Sequence, residues 1–167
     1  MTRTKDLLLS ALFSLGAERP WERITVAALC RRARIHRSTF YDSFEGKEDL
    51  LDRGLAAHFD LLVAGFGAGP EPTMEGQLVR MLDHGREHRQ FYHRALAEGG
   101  IRTLLGEYLV RHAREAAPGM DPGLVRLGAA AILEAFSSFV AAPSPEPAAE
   151  VARTLARFLA GGLGAKD

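Results

Sequence analysis

Apolar side chains recur every three or four residues along most of the chain, a spacing that predicts helices. Leu8, Leu9, Leu12, Phe13 and Leu15 form the first stripe, over residues 5–15, and Gly16 can end it. Thr25 is placed to cap a second helix, Thr25–Ala33, with Val26, Leu29, Cys30 and Ala33 on one face. A short third helix, Arg37–Phe44, sets Phe40, Tyr41 and Phe44 at one-turn spacing. A longer fourth, Lys47–Phe66, aligns Leu51, Leu55, Phe59, Leu62 and Phe66. The Gly- and Pro-rich stretch 65–72 breaks the pattern. Helical periodicity resumes over 73–87, 90–98 and 101–116. After Pro118-Gly119 and Asp121-Pro122 it returns over 123–141 and, past Pro143–Pro147, over 147–161. No run alternates with period two over the length of a strand. The expectation is an all-α protein of about nine helices without internal repeats.

Composition leaves this picture standing and narrows it. The 167 residues are 47% hydrophobic and 25% charged, as in an ordinary globular protein, which excludes collagen-like and wholly disordered chains. No charge-free run exceeds 11 residues, and one of that length, Ala135–Pro145, contains two prolines. A spanning helix needs about 20 apolar residues, so no membrane partner is expected. Asp6 interrupts the N-terminal apolar run, which does not read as a signal peptide. The single cysteine, Cys30, excludes a disulfide framework and a cysteine zinc site and suits a reducing cytoplasm. On the apolar face of helix two it reads as a buried core thiol.

Charge changes the picture more. The formal net charge is zero, with 21 basic and 21 acidic residues. Yet residues 19–41 carry six arginines (Arg19, Arg23, Arg31, Arg32, Arg34, Arg37) against Glu22 alone, whereas residues 42–60 carry six acids against Lys47 and Arg53. An interaction surface feels local potential, because exposed charges beyond about 8 Å are largely screened. The basic segment coincides with helices two and three, which suggests a helix-turn-helix with Arg34-Ile35-His36 as the turn. Ile24, Leu29, Ile35, Phe40 and Phe44 can supply its core, leaving Arg37, Ser38, Thr39, Asp42 and Ser43 to face outward. Short polar side chains let a helix backbone approach base edges.

The string from Ile24 to Leu51, with Ser38-Thr-Phe-Tyr41 and Phe44-x-x-Lys47-x-x-Leu50-Leu51, resembles the DNA-binding signature of the TetR family of transcriptional regulators. The resemblance covers residues 5–55. It implies an N-terminal helix-turn-helix domain, residues 1–46, and a helical ligand-binding and dimerisation domain, residues 47–167. It further implies a homodimeric regulator, usually a repressor, that binds a near-palindromic operator in double-stranded DNA and is released by a small molecule. Arg37, Ser38 and Thr39 match the start of the recognition helix. Tyr41, Lys47 and Thr25 match phosphate-contacting positions. Two positions depart from the family's pattern. Arg34 stands where glycine is common, and a left-handed residue with a β-carbon costs about 1–2 kcal/mol. His36 replaces a serine or threonine cap.

The remaining residues divide between pocket, interface and core. Phe59, Phe66, Met81, Phe91, Tyr92 and Tyr108 are candidates for an effector pocket. The stretch 127–140 has Glu134 as its one charge, so most of its circumference should be buried, one side by a partner. Leu127, Ala131, Ala135 and Phe139, with Leu155 and Phe158 of the last helix, are candidates for a four-helix interface between two copies. His84 and His88 have ligand spacing, but without an obvious acidic or cysteine ligand they read as solvated, and no metal or cofactor is expected. There are no paired carboxylates, phosphate loop or nucleophile elbow, so no enzyme is expected. The alternative is a helical small-molecule-binding or scaffolding protein that has lost DNA binding.

Overall fold

The computed structural model describes residues 3–64, 73–97 and 100–164, and within them every predicted helix forms, with no strand. We number them α1 (Arg3–Glu18), α2 (Val26–Ala33), α3 (Arg37–Tyr41), α4 (Lys47–Ala64), α5 (Met74–Glu87), α6 (Arg89–Ala97), α7 (Gly100–Ala116), α8 (Pro122–Ala141) and α9 (Ala148–Gly164). The third is shorter than expected: it stops at Tyr41, and Phe44 follows in a turn whose amide donates to the Phe40 carbonyl at 2.9 Å. A short 3-10 turn, Trp21–Arg23, precedes α2. In α4 the α-helical pattern is interrupted at Leu50–Gly54 by one π turn. The expected helix-turn-helix core forms as read: Ile24, Leu29, Phe40 and Phe44 are buried and Ile35 packs against them.

One hydrophobic cluster runs from Leu8 of α1 to Ala152 of α9, so the N-terminal helices share a core with the rest. The joint is α1, which packs on α2, on the π turn of α4 and on α6. Gly16 permits the last contact, since a β-carbon there would lie 2.4 Å from Phe91 Cδ2. At the centre of the C-terminal part, α5 packs against α4, α8 and α9. Gly85 brings α5 onto α8 in the same way: a β-carbon would meet Phe136 Cε2 at 2.5 Å and Val140 Cγ1 at 3.1 Å.

Helix α8 differs from expectation in two respects. Its mean hydropathy of 1.6 over 18 residues makes it long and apolar enough to cross a bilayer by length and composition, which the charge-free run did not register because Arg126 and Glu134 punctuate it. Only 39% of that window is buried within the chain, where α5, α6, α7 and α9 cover one side. Leu127 is left 61% exposed, as is Phe158 of α9.

Candidate nucleic-acid interface

Local chemistry sets α2 and α3. The Thr25 hydroxyl accepts the Ala28 N–H at 3.2 Å, satisfying one of the free amides at the start of α2. At the other end Arg34 adopts the left-handed conformation, φ 56° and ψ 44°. Its N–H donates to the Arg31 carbonyl at 3.3 Å and the Ile35 N–H to the Cys30 carbonyl at 3.0 Å. That pair is a Schellman motif, usually closed by glycine, so the turn keeps its geometry with arginine in place. His36 sits at the N-cap of α3 without any side-chain cap hydrogen bond, as its chemistry predicts.

This frame brings Arg37, Ser38, Thr39 and Tyr41 onto one short helix anchored from below by buried Phe40. Arg37 and Ser38 are exposed, Thr39 is half-buried, and Tyr41 is 51% exposed with its ring edge-on to Phe40. Arg23, Arg31, Arg34 and Arg37 are exposed and form no ion pair with a described residue. Two other arginines of the basic segment are engaged. Arg32 donates to the Ser14 hydroxyl and, at 2.8 Å, to Glu18, and its guanidinium lowers the Glu18 pKa. Arg19 lies 3.6 Å from the same carboxylate. Lys47 is only partly available. Its ammonium donates to the Trp21 carbonyl at 3.0 Å and lies 4.6 Å from the centre of the Trp21 ring, holding the 3-10 turn against the start of α4.

The candidate pocket residues do not all meet. Phe59, Met81 and Tyr108 line a nearly closed apolar space of about 30 Å³ with Leu105, Leu133 and Phe136. The surface lining this space is wholly apolar, and the Tyr108 hydroxyl is buried, with the Asp60 carboxylate beside it. Burial first, and the Asp60 carboxylate after it, raise its pKa above the ordinary tyrosine value. Phe91 instead lines a cavity of about 170 Å³ with Trp21, Ile24 and Leu51, between α1 and α6. Phe66 lies outside the described residues. Among the interface candidates Leu127 and Phe158 are exposed, Ala131, Ala135 and Leu155 are half-buried, and Phe139, 5% exposed, belongs to the core of its own chain. Cys30 is buried as expected, and burial raises its thiol pKa.

The expectation of solvated histidines is wrong for His84 and His88. His84 is 4% exposed and His88 half-buried, because Phe13 of α1 covers both, stacking on His88 with ring centres 4.2 Å apart. His58 of α4 joins them, its Nε2 3.4 Å from His84 Nδ1, while His84 Nε2 faces the Tyr92 hydroxyl at 2.9 Å. Tyr92 is thus a partner of this cluster and not part of the small pocket. Burial lowers the pKa of all three rings, that of His84 to about 3, with His58 and His88 adding to the effect. Glu87, also overlooked as a partner, shares their turn. The four-residue spacing of His84 and His88 was the one sequence signal; nothing local announced His58.

Comparison with known proteins places these features in context. Residues 8–53 match the sequence profile of the bacterial regulatory proteins of the tetR family. No curated protein matches the sequence. The fold is similar to that of the dihydroxyacetone kinase operon activator DhaS (TM-score 0.70, 17% identity, 96% of each chain covered). It is similar also to the fatty acid degradation regulator FadR from Bacillus halodurans (TM-score 0.62, 16% identity, 98% of this chain and 97% of that one). A TetR transcriptional regulator from Streptococcus agalactiae 2603V gives TM-score 0.61 at 21% identity, with 93% of each chain covered.

Proposed function

We propose that this chain, whose residues 8–53 form a helix-turn-helix domain of the tetR family, is a ligand-responsive transcriptional regulator acting as a homodimeric, cytoplasmic repressor. The observation that carries the reading is α3: Arg37, Ser38, Thr39 and Tyr41 stand outward on a helix fixed from beneath by Phe40 and from behind by the Arg34 turn. In this reading Arg37, Ser38 and Thr39 meet base edges and nearby phosphates of a near-palindromic operator. Tyr41 and Thr25 contact phosphate, and Lys47 does so with the donors that Trp21 leaves over. The exposed apolar surface of α8 and α9, including Leu127 and Phe158, is covered by a second copy, which sets the spacing of the two α3 helices. A small molecule enters between α4, α5, α7 and α8, against the apolar lining that Phe59, Met81 and Tyr108 provide. The space of about 30 Å³ must widen to admit it, displacing α4, and the dimer geometry that no longer spans both half-sites releases DNA.

A gel-shift titration against the DNA flanking the protein's own gene tests the proposal. Binding should weaken linearly in log[salt], with Tyr41→Phe losing affinity on every sequence while Arg37→Ala changes which sequences bind. No binding at low salt would favour the alternative, a helical ligand-binding or scaffolding protein whose helix-turn-helix is silent.

A further inference from the structure

The histidine cluster has the donors and spacing of a transition-metal site. One donor atom each from His84, Glu87 and His88 lies within 4.8 Å of the other two, at the C-terminal end of α5 and its cap. From α4, His58 Nε2 approaches His84 Nδ1 at 3.4 Å. An N–H···N bond is usually shorter, nearer 3.0 Å on the general range for nitrogen donors. Two nitrogens on one tetrahedral zinc, each about 2.0–2.1 Å from the metal, lie about 3.3–3.4 Å apart. That spacing is compatible with two ligands on a shared ion, with His58, which lies outside the 4.8 Å group of His84, Glu87 and His88, closing on it when an ion binds.

The surroundings agree with this geometry. Tyr92 can accept the His84 Nε2 proton across 2.9 Å, which leaves the Nδ1 lone pair directed at His58. Such a hydrogen bond from the far nitrogen is the usual support for a ligating histidine. Phe13 walls the cluster with ring centres 4.2–5.8 Å from those of the three histidines. Glu87 and His88 border an open cleft that also exposes Arg86, held by Asp83, and Arg89, held by the α8 carbonyls, giving an ion a way in.

We propose that His58, His84, Glu87 and His88 form a binding site for one divalent transition-metal ion of the zinc type, with Tyr92 orienting His84. Three imidazoles and a carboxylate favour such an ion over magnesium, which prefers oxygen ligands and keeps its water.

The test is calorimetric titration of the full-length, chelator-stripped protein with zinc chloride. Magnesium chloride serves as comparison, and cobalt(II) reports geometry by its visible absorption. The expected result is one zinc per chain, no magnesium heat, and an intense tetrahedral cobalt band. His58→Gln and His88→Gln, both at half-buried positions, should each weaken zinc by at least tenfold. Tyr92→Phe should weaken it by about tenfold. His93→Gln, at an exposed position of α6, should leave it unchanged. Circular dichroism of each variant checks that it is folded. Zinc affinity insensitive to both His58→Gln and His88→Gln in folded protein would overturn the proposal, as would non-saturable binding or a weak octahedral cobalt spectrum.

Discussion

Arg34 offers a measurement of one backbone conformation. It is the one residue other than glycine described with a positive φ, and both hydrogen bonds that close α2 depend on that conformation. A β-carbon in the left-handed region costs about 1–2 kcal/mol, which glycine avoids. Glycine gives back about 0.4–1 kcal/mol through the greater freedom of the unfolded chain. Arg34→Gly should therefore stabilise the protein by about 0.5–1 kcal/mol. In a chain of this length 1 kcal/mol moves the melting temperature by about 2–4 °C, so the expected rise is about 1–4 °C. Arg34→Ala is the control, because it removes the same charge and keeps the β-carbon. Thermal unfolding followed by circular dichroism, at one pH and salt concentration, compares the three proteins. A glycine variant melting at or below the alanine variant would refute the strain argument. Both variants delete one exposed cation beside α3, so any loss of DNA affinity should be equal in the two.

Three further outcomes follow from the packing. Gly85→Ala should destabilise by about 1–2 kcal/mol, since overpacking against Phe136 and Val140 outweighs the roughly 1 kcal/mol gain in helix propensity, and Phe136→Leu in the same chain should recover part of the loss; a urea midpoint at or above wild type would contradict it. Arg89 donates to the carbonyls of Val140 and Ala142 at 2.9 and 2.7 Å, capping the end of α8, so Arg89→Ala should cost about 1.5–3 kcal/mol in chemical denaturation, and a change under 0.5 kcal/mol, about a third of the smallest charge-assisted bond, would show those bonds to be idle. For the proposed dimer, Leu127→Glu with Phe158→Glu should shift sedimentation toward the monomer without altering helicity, and an unchanged sedimentation coefficient would refute that interface.

Much of this architecture was legible because helices announce themselves locally. The stripe Leu8, Leu12, Leu15 and the Thr25 cap lie within a few residues of what they organise, and the Arg34 anomaly was visible as a missing glycine. The helix-turn-helix geometry was legible for the same reason, since its spacing lies within one continuous stretch. What escaped was contact between distant segments. His58 meets His84 across 26 positions, Arg89 reaches the carbonyls of α8 across about 50, and Lys47 turns back onto Trp21. Periodicity also misjudged depth at Phe139, which shares a face with apolar neighbours but points inward. Side chains shared between elements are decided by how helices cross, and that depends on close approaches such as Gly85 on Phe136.

The π turn at Leu50–Gly54 gives α4 a further property. Each residue of an α-helix advances the chain by about 100° around the axis. A π turn accommodates an extra residue in one coil, so it takes up length without turning the end that carries Lys47 against the end that carries His58 and Phe59. Deleting one residue there would close that coil to plain α-helix and leave the two ends in their present angular relation, whereas a deletion elsewhere in α4 would turn one end by about 100° against the other. The chain can thus lose a residue at this one point of α4 without turning the end that carries Lys47 against the end that carries His58 and Phe59.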